Sequence, residues 1–294
     1  MIIWKFGGTS VADGERISAL CDIYLNENAD EKPGAIVVSA LGGTTDTLLE
    51  LSQHAAGGGD YTTLLESLHQ RHSKAASQLG IAHSCPFIDL SFQELAEILK
   101  GVFLLRDLSQ KTIALIVSFG ERLSAQIVTQ AFLHRGVATQ YLDARELVLT
   151  DSRYESARVK RLETTKHIAN YFHDHPQLQI VTGFIAANDV GDTTTLGRGG
   201  SDYTASLFGA ALEASNIHIW TDVDGVLSAD PRKVPEAFLL DQISYEEAME
   251  LSHFGAKVLH PPTIQPAREK SIPIYIRNSF HPNNPGTCIT SKTS

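Results

Sequence analysis

The chain is 294 residues long, with 43% hydrophobic and 20% charged residues, which is enough to bury a large core as one domain or two lobes. Its net charge of −10 at pH 7 argues against a nucleic-acid backbone or an anionic membrane surface as the main partner. Cys21, Cys85 and Cys288 lie far apart without metal-ligand spacing, and no apolar run is long enough for a membrane span, which predicts a reduced, cytoplasmic protein.

Short apolar runs alternate with helical patterns along the chain. Continuous apolar runs are typical of strands buried on both faces, and the helices would cover those faces, so we predict a three-layer α/β sandwich with a mostly parallel central sheet. Residues 45–105 are mostly helical in pattern and are predicted as a helical insertion beside the sheet. In chain order, strands are predicted at Ile2–Phe6, 35–39, 113–117, 137–142, 180–183, 217–221 and 274–277, and helices at 15–25, 90–108, 124–133, 159–171 and 203–212.

The first predicted strand runs directly into a glycine turn, residues 5–10 (KFGGTS). Two adjacent glycines let backbone N–H groups approach an anion, and the helix expected after the turn would direct its positive dipole end at the same place. Lys5 adds a mobile positive charge. A Gly-Gly turn alone is more often an ordinary strand-to-helix connection, so a phosphate site here needs support from the rest of the chain.

A second glycine cluster, residues 197–202 (GRGGSD), precedes another predicted helix. Ser201 or Asp202 would cap this helix, and Arg198 presents a planar guanidinium that suits bidentate binding of a carboxylate. The pattern therefore predicts a small carboxylate substrate at this cluster and phosphate at the first one.

Polar residues also follow two other predicted strands. Residues 118–124 (SFGERLS) come after the strand predicted at 113–117, which places Glu121 at a strand's carboxyl end, where it can meet a substrate ammonium group. A helix-start carboxylate is the plainer alternative. Ser39 and Thr45 follow the strand at 35–39 and are expected to offer hydroxyl groups to a carboxylate.

The C-terminal third carries two further motifs. Residues 220–226 (WTDVDGV) join a strand end to a turn that can bind a base and ribose, with Arg232 facing the phosphates. Asp222, Asp224 and Asp230 do not match a calcium-loop pattern, so turn chemistry explains them better. Residues 254–261 (FGAKVLHP) add Lys257 as a second cation for phosphate.

These motifs, in this order, resemble those of the aspartate kinase family over essentially the whole chain. The resemblance rests on residues 5–10, 120–124 (GERLS), 197–202, 221–226 and 255–261. It implies the amino-acid kinase fold and the reaction of ATP with L-aspartate to give ADP and 4-phospho-L-aspartate, the first step towards lysine, threonine and methionine. It further implies an N-terminal lobe of about residues 1–195 that binds aspartate and a C-terminal lobe of about residues 196–294 that binds nucleotide.

The resemblance also implies roles for individual residues. Magnesium would be held mainly by ATP oxygens, because no dedicated carboxylate cage is visible, and the protein would be a homodimer without nucleic-acid or membrane partners. The catalytic residues would be Lys5, Asp202 and Lys257; aspartate would be bound by Ser39, Thr45, Glu121, Arg198 and Ser201; and ATP would be bound by Lys5, Gly7, Gly8, Thr9, Ser10, Thr221, Asp222, Val226, Leu227, Arg232, Lys257 and Val258.

The sequence departs from the family pattern in three respects. Leu227 stands where the family often has a tyrosine, and Pro262 replaces a frequent basic residue, so adjusted ATP affinity is expected. Family members typically continue into regulatory domains of the ACT type, whereas this chain ends at Ser294, as a naturally unregulated enzyme or a catalytic fragment would. A kinase for glutamate or acetylglutamate, and a non-catalytic partner subunit, remain as alternatives.

Overall fold

The structure is a computed structural model that describes residues 1–229, 234, 236–253 and 260–291. In these residues the chain forms two sheets. The larger has eight strands in the order β3-β5-β2-β1-β8-β10-β11-β9, parallel except for the β10–β11 pair, and the smaller has the order β4-β6-β7. The strands are β1 (Ile2–Phe6), β2 (Pro33–Val38), β3 (Thr139–Leu142), β4 (Leu149–Thr150), β5 (Leu178–Thr182), β6 (Ile185–Asn188), β7 (Thr193–Thr195), β8 (Asn216–Thr221), β9 (Gln242–Ser244), β10 (Ile274–Asn278) and β11 (Thr287–Thr290).

Helices cover both faces of the larger sheet. Short 3₁₀ turns at Gly8–Val11, Ala29–Glu31, Ala82–Ser84, Ala144–Glu146 and Pro261–Ile264 connect some of the elements. The α-helices are α1 (Gly14–Asn26), α2 (Thr44–Gly57), α3 (Thr62–Gln78), α4 (Pro86–Leu105), α5 (Gln110–His134), α6 (Arg161–Asp174), α7 (Gly200–Ala211), α8 (Tyr245–His253) and α9 (Gln265–Glu269).

The side chains of β1 show how the layers are built. Trp4 and Phe6 enter a core shared with α1, α2, α4 and α5, whereas Ile3 enters a second core shared with α6, α7 and α9. Because successive strand residues point to opposite faces, a strand with two buried faces needs apolar residues at nearly every position. The predicted three-layer α/β sandwich with a mostly parallel sheet is confirmed. The helical segment predicted at 45–105 consists of α2, α3 and α4.

The strand predicted at 113–117 is wrong, because these residues lie inside α5. Ser109 is the N-cap of this helix, and its Oγ accepts a hydrogen bond from the backbone N–H of Thr112 at 3.1 Å. Helix α5 is buried on most of its surface, and a helix that is apolar all round shows the same continuous apolar run as a buried strand. The helix predicted at 124–133 is the C-terminal part of α5, which begins 14 residues earlier, at Gln110. The other predicted strands and helices are confirmed with shifts of a few residues at their ends. The strands β4, β6, β7, β9 and β11 were not predicted, since they are short.

The two halves of the larger sheet come from different parts of the chain. One half, β3-β5-β2-β1, comes from the residues before 196, and the other half, β8-β10-β11-β9, comes from the residues after it. The halves meet where Phe6 of β1 pairs with Trp220 of β8. The sheet is therefore continuous across the predicted lobe boundary, and the assignment of one ligand to each lobe stays a prediction. In the described part of the chain, no helix is both long and apolar enough to cross a membrane.

Candidate active site

A cleft of about 340 Å³ opens at the carboxyl ends of β1, β2 and β5. The carboxyl ends of parallel strands meet at one edge of a sheet, so polar groups from distant parts of the sequence converge there. The first turns of α2 and α7 flank the same cleft. Of the residues singled out in the sequence, those that line it are Lys5, Gly8, Ser39, Thr45, Glu121, Ser201 and Asp202.

Lys5 provides a positive charge inside the cleft. Its Nζ lies 2.7 Å from Oδ1 of Asp202, and the two side chains are only 11% and 14% exposed. The contact is an ion pair whose angles fall outside hydrogen-bond geometry. Asp202 therefore holds the lysine at the end of β1 without saturating its three N–H donors, which leaves the ammonium group able to contact an anionic ligand.

Glu121 is a buried carboxyl group at the cleft, with only 3% of the residue exposed. Its Oε1 accepts a hydrogen bond from the backbone N–H of Ala40 at 3.3 Å, whereas its Oε2 is buried and has no hydrogen-bond partner. Burial raises the pKa of Glu121 to about 8. A buried carboxylate without a cation is costly, so this group is arranged to receive a positively charged partner from outside the chain.

The position of Glu121 differs from the expectation that it follows a strand. It lies in the middle of α5, and the preceding Gly120 explains how it reaches the cleft. A Cβ atom at Gly120 would lie 2.8 Å from Cβ of Ala40 and 3.2 Å from Cγ2 of Thr44, which is closer than real atoms pack. Glycine inside a helix costs about 1 kcal/mol relative to alanine, and here it allows the helix to approach the loop after β2.

Hydroxyl groups and the N-termini of two helices also line the cleft. Oγ of Ser39 donates a hydrogen bond to Oγ of Ser201 at 3.0 Å, and Thr45 lies in the first turn of α2. The first N–H groups of a helix have no partner within it, so the starts of α2 and α7 present donors to an anion. The prediction that Ser201 or Asp202 caps α7 is wrong, because Gly199 is the N-cap, with φ of +69°. No described side chain accepts a capping hydrogen bond from the first N–H groups of α7.

The glycine turn after β1 differs in detail from the sequence prediction. Residues Gly8–Val11 form a 3₁₀ turn, and α1 begins only at Gly14, where Asp13 accepts a hydrogen bond from the N–H of Arg16 at 2.9 Å. The N-terminus of α1 is therefore capped by the chain itself rather than directed at the turn. The N–H of Gly7 is also occupied, because it donates to the carbonyl oxygen of Trp220 at 3.1 Å.

Gly8 does line the cleft, and its lack of a side chain has a clear packing reason. Its carbonyl oxygen accepts a hydrogen bond from the N–H of Gly42 at 3.0 Å. A Cβ at Gly8 would lie 3.1 Å from the carbonyl oxygen of Ala40 and 3.3 Å from Cα of Gly42. The loops after β1 and β2 thus pack backbone against backbone, which keeps the floor of the cleft open.

Two neighbours of this turn do not face the cleft. Ser10 is buried, and its Oγ shares a hydrogen bond of 2.7 Å with Oγ of Ser279, which in turn donates to the carbonyl oxygen of Thr221 at 3.1 Å. Thr9 is exposed. Ser10 therefore fixes the turn to the ends of β8 and β10, and direct contact between its hydroxyl and ATP would require this network to open.

Arg198 is exposed and makes no ion pair with another residue that the structure describes. Its neighbours Gly197 and Gly199 line the cleft, both with positive φ, but the arginine side chain itself does not. The structure thus places Arg198 between two glycines that line the cleft, next to the start of α7, with no ion pair to a described residue.

The predicted nucleotide residues lie beside the glycine turn, because β8 is the neighbour of β1. Oγ1 of Thr221 donates to Oδ1 of Asp222 at 3.2 Å, so both side chains are close together at the end of β8. Both backbone groups of Val226 are occupied, by Oγ1 of Thr287 and the N–H of Leu240. Leu227 pairs with Leu239 at a position where its own N–H and C=O point away from that partner. Neither group has a hydrogen-bond partner among the described residues.

Several predicted residues lie outside the described part of the chain, namely Arg232, Lys257 and Val258.

Conversely, the cleft contains Phe184 and Asp46, which sequence reasoning missed. Phe184 has φ of +66°, an uncommon value for a bulky residue, and it lies two residues after the end of β5. The Gly183-Phe184 pair after a predicted strand was the available signal. No group of three potential metal ligands occurs among the described residues.

Comparison with known proteins agrees with this geometry. The chain matches the amino acid kinase family over residues 1–278. Over 98% of its length it is 37% identical to the chloroplastic aspartokinase 1 of Arabidopsis thaliana and to the chloroplastic bifunctional aspartokinase/homoserine dehydrogenase 2 of Zea mays, of which it covers 52% and 32%. It superposes on E. coli aspartokinase III in complex with aspartate and ADP with a TM-score of 0.91 and 33% identity, over 100% of this chain and 65% of that one. The chain thus spans about a third to two thirds of the length of these relatives. Its fold, its cleft and these similarities show that the chain belongs to the amino acid kinase family.

Proposed function

We propose that this chain is an aspartate kinase, which transfers the γ-phosphoryl group of ATP to the side-chain carboxylate of L-aspartate. The observation that carries the proposal is Oε2 of Glu121, a buried carboxyl oxygen at the cleft without a partner. An α-ammonium group supplies the missing positive charge. The hydroxyls of Ser39, Thr45 and Ser201 and the N-termini of α2 and α7 are donors for carboxylates, and Arg198 at the rim is the proposed partner of the α-carboxylate.

The chemistry needs positioned charge rather than a base. The side chain of aspartate has a reference pKa of about 3.9, so its oxygen is already ionised at neutral pH. A carboxylate oxygen forms the new bond to the γ-phosphorus while the bond from that phosphorus to the β–γ bridging oxygen breaks, and ADP departs with the electron pair. Lys5 lies in the cleft to balance the charge that develops on the transferring phosphoryl group.

The nucleotide is proposed to lie along the ends of β1 and β8. Gly8 offers the open backbone of the turn, Thr221 and Asp222 offer polar side chains, and the free backbone groups of Leu227 suit the edge of a base. Lys257, Val258 and Arg232, outside the described residues, are proposed to complete the phosphate site. The relative that was solved with aspartate and ADP supports this assignment by its similarity.

Magnesium fits this site as an ion held mainly by the nucleotide. Mg²⁺ in kinase sites commonly takes one or two carboxylates and otherwise phosphate oxygens and water, and Asp202 is a carboxylate of this kind inside the cleft. When bound, the ion would neutralise charge on the phosphates. A homodimer, a cytoplasmic location and the division into an aspartate lobe and a nucleotide lobe are proposed on the family resemblance and remain to be tested.

The test is to incubate the chain with Mg-ATP and single amino acids, and to trap acyl phosphate as hydroxamate with hydroxylamine. We expect a signal with aspartate and none with acetylglutamate, because an acetylated nitrogen brings no charge to Glu121. Glutamate, which has the same ammonium group as aspartate, is tested as the alternative acceptor. A signal confined to another acid, or none at all, would refute the proposal.

A variant tests the substrate assignment separately. Arg198→Ala should raise KM for aspartate by about tenfold or more, the cost of losing a charge-assisted contact, and should leave KM for ATP nearly unchanged. Arg153→Ala is the control, since Arg153 is also exposed and pairs only with Asp151, 3.6 Å away. Equal effects of Arg198→Ala on both KM values would contradict the role of Arg198.

A further inference from the structure

A second cavity, of about 460 Å³, lies between α1 and the loop that follows β10. We call it the α1 cavity and define it by Arg16, Asp22, Glu27, Trp220, Arg277 and Phe280, which line it. Its volume is within the range of about 300–1,000 Å³ that is usual for small-molecule sites. None of these residues lines the cleft with Lys5 and Glu121.

Two buried donors at this cavity have no partner. Trp220 is 1% exposed, and its indole Nε1 makes no hydrogen bond; Nε of Arg277 is likewise buried without a partner. The two residues are direct neighbours across the β8–β10 pair, with the guanidinium carbon 5.3 Å from the centre of the indole ring. Unsatisfied buried N–H groups are rare in folded proteins and call for an acceptor.

The charges around the α1 cavity favour an anion. The guanidinium of Arg16 lies 3.8 Å above the ring of Phe280 and makes no ion pair with a described residue. Nη1 of Arg277 is 3.8 Å from Oε2 of Glu27, too far for a hydrogen bond. Asp22, the other acid, is already paired with Arg135 at 2.8 Å. Arg16 is therefore without an ion pair among the described residues, and Arg277 keeps N–H donors that its ion pair with Glu27 does not use. Planar guanidinium groups bind carboxylate and phosphate oxygens bidentately.

We propose that the α1 cavity binds the oxyanion of a small metabolite, a carboxylate or a phosphate, between Arg16 and Arg277. The guanidinium groups of Arg16 and Arg277 supply the donors, Trp220 and its unpaired indole N–H border the site, and Phe280 covers the apolar part of the ligand. This site is separate from the cleft and does not depend on the proposed kinase activity.

The α1 cavity is connected to the glycine turn by direct contacts. The carbonyl oxygen of Trp220 accepts the N–H of Gly7, and Ser279, which also lines the cavity, is hydrogen-bonded to Ser10. A ligand that shifts Trp220 or Ser279 therefore also shifts Gly7 and Ser10. Occupancy of the cavity is thereby coupled to the position of the turn.

Tryptophan fluorescence tests the proposal without any activity measurement. The chain has only two tryptophans, and Trp4 and Trp220 lie edge to face with ring centres 5.6 Å apart, so emission reports this region. The probes are inorganic phosphate and succinate, and a saturable change is expected with at least one of them. The probe that binds more tightly identifies phosphate or carboxylate as the chemistry of the site.

Variants separate this site from the cleft. Arg16→Gln and Arg277→Gln should each weaken binding by about tenfold or more, whereas Arg268→Gln, which removes an exposed arginine paired with Glu246, should leave it unchanged. Lys5→Met should retain the response. If Arg277→Gln does not fold, Ala19→Phe fills the cavity without altering its charge and should abolish binding.

Three results would overturn the proposal. The first is the absence of a saturable change with both probes, which would mean that water satisfies the buried donors. The second is unchanged affinity in Arg16→Gln and in Arg277→Gln or Ala19→Phe. The third is loss of the response in Lys5→Met with retention in the arginine variants, which would place the anion in the cleft.

Discussion

The proposed contact between aspartate and Glu121 predicts an affinity that depends on pH by an amount that can be calculated. Burial raises the pKa of this carboxyl group from 4.5 to about 8, so in the free protein at pH 7 only about one molecule in ten carries the carboxylate that the ammonium group needs. The apparent dissociation constant should fall about tenfold between pH 6 and pH 7, and about fivefold more between pH 7 and pH 8, before it levels off. The carboxylates of aspartate are ionised throughout this range.

The ionisation of Glu121 on aspartate binding can also be measured directly, as released protons. Binding of aspartate at pH 7 should release about 0.9 protons, because nearly every bound Glu121 must ionise. Isothermal titration in two buffers with different ionisation enthalpies gives this number. Glu121→Gln should abolish the release, whereas Glu97→Gln, at an exposed position of α4, should preserve it. Release of less than about 0.2 protons together with an affinity that does not change between pH 6 and pH 8 would refute this reasoning.

Three further predictions concern stability and rate. Between about pH 4.5 and 8 the folded state keeps the proton of Glu121 that the unfolded state has lost, so the stability of the protein falls as pH rises. Glu121→Gln should therefore raise Tm above the wild-type value, by a margin that grows towards pH 8. A lower Tm of the variant at every pH would contradict this. Lys5→Met should lower kcat about 10²–10³-fold in steady-state assays while KM for aspartate changes little, and a matching rise in KM would argue against a charge-balancing role. Gly8→Ala should lower Tm by several degrees, because its Cβ would lie 3.1 Å from the carbonyl oxygen of Ala40. Gly57→Ala is the control and should not lower Tm, because a Cβ there has nothing within 4 Å. Equal melting temperatures of the two variants would show that the loop at Ala40 moves to accommodate the new methyl group.

The sequence was most informative where one local pattern determines one structure. Strand β1 was predicted with its observed bounds, since a short apolar run before a glycine turn has few alternatives. The prediction of a strand at 113–117 is wrong because a helix and a strand that are buried on all sides show the same continuous apolar run. Glu121 nonetheless lies at the cleft, and the reason is the close packing of Gly120 against Ala40, which no local pattern contains.

Other features depend on partners far along the chain. Ser10 looked like a phosphate ligand in its motif, but Ser279 occupies its hydroxyl, and Trp220 occupies the N–H of Gly7. These contacts arise from the neighbour relations of β1, β8 and β10, which only the folded sheet defines. Motif reading therefore located the site, whereas the hydrogen-bond partners required the tertiary structure.

The bond between Ser10 and Ser279 also constrains how the protein is made. The two residues are 269 positions apart, and Ser10 leaves the ribosome long before its partner is translated. During that interval β1 can pair with β2, but β8 and the residues after β10 are still absent. The glycine turn therefore takes its final form only after the residues that follow β10 have been synthesised. A nascent chain should remain unable to organise this glycine turn until Ser279 has emerged.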